Sequence, residues 1–155
     1  MVSKKKNTKP TKPVREIVVG SKTVGEWTKE WRRLEGDFNV RQTCVNKTVG
    51  LFRAVDSGQT MALGQACEYA NGGLRKRISD FGRKSPSSRE HFMGEFIHDN
   101  RHRLEAHVLC VGRDENAAEI TKQLRGYMLE LYKPPKNATE LAIKCAIAAK
   151  RKSKE

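Results

Sequence analysis

Two short apolar runs flank a polar four-residue turn, and their pairing limits the folds open to this chain more than any other feature. Val49-Gly50-Leu51-Phe52-Arg53-Ala54-Val55 and Thr60-Met61-Ala62-Leu63-Gly64 stand either side of Asp56-Ser57-Gly58-Gln59, where Asp, Ser and Gly are turn formers. The order predicts a β-hairpin. After Gly72-Gly73, Leu74, Ile78 and Phe81 share one face at helical spacing, with Arg75-Lys76-Arg77 between them. This is a helix with a dense positive end, suited to meeting phosphate.

The flanking segments add helices and one more strand. Glu105-Ala106-His107-Val108-Leu109-Cys110-Val111-Gly112 reads as a third strand. Asp114-Glu115-Asn116 opens a long helix with Ala118, Ile120, Leu124, Tyr127, Met128 and Leu131 on its apolar face, and Pro134-Pro135 stops it. Ser87 or Ser88 caps a helix to about residue 100, with Phe92, Phe96 and Ile97 inward. Asn71 is placed to cap the basic helix, and Asn137 with Glu140 has capping-box spacing for a last helix, residues 138 to about 150, with Leu141, Ala142, Cys145 and Ala149 as its stripe. Before the hairpin, Arg15 to Gly20 suits a short strand. Thr23 and Glu26 have capping-box spacing for a helix to about residue 34, whose Trp27, Trp31 and Leu34 share a face. The fold class expected is α+β, a small three-stranded antiparallel sheet flanked by helices.

Net charge is +13, and it is unevenly spread. Residues 1–15 carry six cations and no acid, residues 144–155 carry five cations and one acid, and only +3 is left between them. The organisation predicted is a disordered basic arm (1–14), an N-terminal extension (15–47), a central domain (48–137) and a C-terminal helix with a basic tail (138–155). Basic arms of this kind gain by displacing counterions from phosphates, so nucleic acid, DNA first, is the expected partner. No apolar run is long enough for a membrane span and the N-terminus lacks the apolar segment of a secretory signal, which predicts a cytoplasmic protein without membrane contact. Cys44, Cys67, Cys110 and Cys145 are widely separated and read as reduced, mostly buried thiols. His91, His98, His102 and His107 read as surface or packing residues, not as a metal set.

The order of these segments resembles the GIY-YIG nuclease domain over roughly the middle three-fifths of the chain. In that family Gly-Ile-Tyr and Tyr-Ile-Gly strands precede a helix reading Leu-x-x-Arg, and a later Glu lies on a helix ending at Pro-x-x-Asn. Here the counterparts are Gly50-Leu51-Phe52, Ala62-Leu63-Gly64, Leu74-Arg75-Lys76-Arg77 and the run through Pro134 to Asn137. The resemblance implies two tyrosines positioning the attacking water, an Arg stabilising phosphorane charge, a Glu holding a divalent metal and a terminal Asn.

Residue by residue, those positions fall on Phe52, Ala62, Arg77, Arg125 and Asn137. Arg77 and Asn137 match. Phe52 keeps the ring without the hydroxyl, Ala62 keeps neither, and Arg125 puts a permanent cation where the metal-binding acid would stand. Tyr69 in the lengthened loop is a conceivable substitute for a tyrosine; Glu119 and Glu130 lie about a turn or more from the acid's place. The expectation is a degenerate GIY-YIG-like domain, of phage or mobile-element setting by resemblance. It binds nucleic acid through Arg75, Lys76, Arg77, Arg83, Lys84 and Arg125, with no catalytic residue and no metal or other cofactor. Two alternatives stand beside it. One is a divergent nuclease that uses Mg²⁺. The other is an inhibitor that binds a protein partner through the Trp27/Trp31 helix.

Overall fold

The computed structural model describes residues 13–82 and 92–153. Its centre is the hairpin, β4 (Val49–Asp56) and β5 (Gln59–Ala66), turned at Ser57 and Gly58 with φ of 52° and 82°. Two successive positive φ values give the tight turn whose twist matches paired strands. β6 (Glu105–Gly112) lies antiparallel on the other side of β4, and β3 (Arg32–Arg33) pairs with β6. The sheet order is β3-β6-β4-β5, so it has four strands where three were expected. A separate small hairpin joins β1 (Val18–Val19) to β2 (Lys22–Thr23).

The fourth strand comes from the segment read as a long helix. The capping box forms as expected: Thr23 Oγ1 accepts from Glu26 N at 3.1 Å, and Thr23 N donates to Glu26 Oε1 at 2.8 Å. Yet α1 (Val24–Trp27) ends after one turn, a 3-10 turn covers Thr28–Glu30, and Trp31 is extended. The edge of β6 then takes Arg32 and Arg33, and Leu34 N continues the ladder to Ala106 O at 2.8 Å. Trp27 and Leu34 therefore enter clusters on opposite faces of the sheet instead of sharing one helical stripe.

Alternation along the strands builds both faces. Phe52, Ala54, Ala62, Ala106 and Val108 face α2 (Gly73–Gly82) and α3 (Phe92–Asp99), which contribute Leu74, Ile78, Phe81 and Ile97. Leu51, Leu63 and Leu109 face α4 (Glu115–Tyr132), which contributes Leu124 and Met128. α4 opens at Asp114 as its sequence foretold, with Asp114 Oδ1 capping it by accepting from Ala117 N at 2.9 Å; its end is sealed by Lys133 in the left-handed region. On that face Arg53 is held between Trp31 and Tyr132, its guanidinium carbon 4.5 and 5.0 Å from the ring centres. Burial lowers the Arg53 pKa and the Tyr132 hydroxyl opposes that shift.

Three expectations change here. α5 (Pro135–Ser153) begins at Pro135, a residue suited to the first helical position, so Asn137 is not its cap. Its stripe is not packed: from Leu141 to Lys152 every residue is exposed. The four cysteines are free but none is buried, Cys44 and Cys145 being exposed and Cys67 and Cys110 half-buried. His98 is buried and its Nδ1 donates to Phe81 O at 2.9 Å. The basic arm up to residue 12, the Ser87/Ser88 cap, His91, Arg83 and Lys84 lie outside the described residues. Among those described, no helix is long and apolar enough to cross a membrane.

Candidate nucleic-acid interface

The direction of α2 is set by the entry to β4. Gly73 sits at φ 56° with a parallel bridge to Thr48, Leu74 N donates to Thr48 O at 2.8 Å, and Lys47 N donates to Gly72 O at 2.9 Å. A Cβ on Gly73 would overlap Thr48 O, so a glycine is required where helix and strand meet. Asn71 belongs to the preceding 3-10 turn and does not cap the helix.

Once the helix is so fixed, its three consecutive cations diverge, because successive residues turn about 100° around the axis. Lys76 and Arg77 line a cleft of about 610 Å³, whereas Arg75 turns aside and donates from Nε to Asn46 Oδ1 at 2.7 Å. Arg75 is therefore not part of the cleft. Across it stand Arg125 from α4 and Lys144 from α5, over a floor that includes Phe52 and Phe81. The structure brings together three of the five motif positions, Phe52, Arg77 and Arg125.

The other two serve the fold. Ala62 is fully buried in the core beneath α2 and α3. Asn137 uses its whole amide on the edge strand: Oδ1 accepts from Leu63 N and Nδ2 donates to Leu63 O, both at 2.8 Å. This clamp fixes the start of α5 and hence the wall that carries Glu140 and Lys144. Asn137→Asp would set a carboxylate oxygen against Leu63 O, and we expect it to cost about 2 kcal/mol in urea unfolding. An unchanged midpoint would show that the clamp carries no stability. The residues weighed as substitutes, Tyr69, Glu119 and Glu130, do not line the cleft. Tyr69 packs against Val49, Ala117 and Ala118, and Glu119 is exposed beside Lys122 at 3.6 Å.

Electrostatically the cleft is less positive than its cations alone suggest. Arg77 Nη2 meets Glu68 Oε1 at 3.2 Å, Lys76 Nζ meets Asp80 Oδ2 at 3.3 Å, and Lys144 Nζ meets Glu140 Oε1 at 3.7 Å. Glu140 also accepts from Met93 N at 3.0 Å, which ties α5 to the start of α3. Arg125, half-buried, has no hydrogen-bond or ion-pair partner among the described residues. Sequence reasoning named Lys76, Arg77 and Arg125 and missed Lys144 and the acids. Two of these were legible as Lys76/Asp80 and Glu140/Lys144 at i, i+4; Glu68 lies on a loop and had no such signal.

Comparison with family models, with curated proteins and with solved structures gives no match for this chain.

Proposed function

We propose that this is a nucleic-acid-binding protein, with DNA as its first ligand, built on a GIY-YIG-like domain that does not cleave. The observation that carries the reading is Arg125, a cation half-buried in the cleft and unpaired among the described residues, at the place where the resemblance implies a metal-binding acid. A permanently charged guanidinium there attracts phosphate and repels a divalent metal. Arg77 and Lys76 add charge from α2, and the basic arm of residues 1–14 and the Lys150-Arg151-Lys152 tail add contacts without sequence preference. The domain divisions and a cytoplasmic location belong to the same proposal.

Fluorescence anisotropy with labelled DNA and RNA over a salt series tests it. Affinity should fall steeply with salt, and removing residues 1–14 should weaken binding and flatten the slope. Arg77→Ala and Arg125→Ala should each cost about fivefold or more and lower the slope by about one, similarly across sequences, while Arg113→Ala, an exposed cation outside the cleft, should cost under about twofold. Equal and negligible effects of all three would remove the cleft from the reading.

The inhibitor alternative loses its stated surface, since Trp27 is buried and Trp31 packs edge-on against Tyr132. Protein contact is favoured instead by exposed Leu141, Ile143 and Ile147 on α5. Binding through that face would bury apolar surface and respond little to salt.

A further inference from the structure

The three acids of the cleft are not equally fixed. Asp80 follows Lys76 by one turn of the same helix, and Glu140 is tied to the Met93 amide. Glu68 lies on the loop between β5 and α2, with its side chain 53% exposed and that of Arg77 41% exposed. Both its oxygens meet one guanidinium nitrogen, Arg77 Nη2, at 3.2 and 3.4 Å. A guanidinium has further N–H donors in a fork that matches two oxygens of a phosphate. The Glu68 contact uses one corner of that fork, and an ion pair so exposed adds little to stability.

We infer that Glu68 is an internal competitor for the cleft. Its carboxylate occupies Arg77 in the free protein and gives way when a nucleic-acid strand places one phosphate on Arg125 and another on Arg77. The ligand is a single strand or a strand end, not the body of a duplex. The cleft is concave, with walls from α2, α3, α4 and α5, and its volume of about 610 Å³ is that of a small-ligand pocket. Within it Arg125 is the anchor available from the outset, because the other described cations each face an acid. The inference rests on the nucleic-acid reading and adds the form of the ligand and the residue that regulates its entry.

The test is anisotropy with a ten-nucleotide oligothymidine and a hairpin duplex of equal charge, at several salt concentrations, on the full chain. Glu68→Gln should bind the single strand about threefold to tenfold tighter than wild type, with a similar salt slope, since Arg77 meets a phosphate in both bound states. The gain should vanish in the Arg77→Ala background. Glu119→Gln, which removes an equal charge outside the cleft, should shift affinity under twofold, and all variants should keep the wild-type melting transition. Wild type should prefer the single strand, and Arg125→Ala should remove that preference. The inference is overturned if Glu68→Gln binds no tighter than Glu119→Gln, if its gain survives without Arg77, or if the duplex is preferred. Wild type that binds neither DNA nor RNA at low salt would overturn the nucleic-acid reading and this inference with it.

Discussion

Purified protein is expected to leave DNA uncut at every concentration of Mg²⁺ or Mn²⁺, and Arg125→Glu is expected to weaken DNA binding by about tenfold or more without creating a nuclease. Water activation would need a hydroxyl or a base in the cleft. Phe52 offers none, Ala62 is enclosed in the core, and Tyr69 packs against Val49 and α4 outside it. The carboxylates that do line the cleft, Glu68, Asp80 and Glu140, each face a cation. Arg77 alone retains a part in stabilising developing charge, and groups that act as a unit are strongly non-additive, so restoring one acid restores little. The substitution changes local charge by two beside the expected phosphate, which sets the scale of the binding loss. The measurements are a plasmid-nicking assay across metal concentrations and anisotropy on both proteins. Metal-dependent nicking by wild type that disappears in Arg77→Ala would exclude a contaminant and overturn the non-cleaving reading.

Gly50→Ala should have the largest effect on the fold, about 4 kcal/mol or more, enough to abolish cooperative unfolding. Gly50 lies on the central strand, opposite Ala66 on β5 and Cys110 on β6, next to an irregularity in the register with β6. A Cβ there would overlap the carbonyl oxygen of Leu109, a backbone atom held by the ladder and unable to swing aside. β4 and β6 would have to part, exposing residues buried on both faces. Gly58 is the comparison: its Cβ would meet nothing within 4 Å, but φ is 82°, so Gly58→Ala should cost only about 1 kcal/mol. Urea unfolding of both variants separates the cases. A Gly50→Ala protein of wild-type stability would mean that the sheet is not packed as described.

The sequence patterns that survived folding were those carried by a single period and a local signal. β4, β5, β6, α2 and α4 follow from short apolar runs, helical spacing, the Ser57-Gly58 turn and the Asp114-Glu115-Asn116 opening. β3 was hidden because Trp27, Trp31 and Leu34 do fall at i, i+4, i+7, and the capping box at Thr23 does nucleate a helix. What ends that helix is the unpaired edge of β6, more than seventy residues later, which no local window contains. α5 forms as a helix as expected, but its apolar stripe, Leu141, Ala142, Cys145 and Ala149, is exposed among the described residues. In the site, the resemblance aligned Phe52, Arg77 and Arg125 on one cleft, while identity at Asn137 concealed a structural duty. The pairing of cleft cations with acids, Glu68 above all, arises from loop geometry and was not legible.

The amide of Asn137 reproduces, with one side chain, the donor and acceptor that a neighbouring strand would present to Leu63. β5 is the outer strand of the sheet on that side, and such an edge is a template on which another chain can add. With its middle already satisfied, growth of the sheet by a second molecule has no ladder to start from. Under the proposed function many copies would gather along one polyanion at high local concentration, and this clamp would keep them from joining edge to edge.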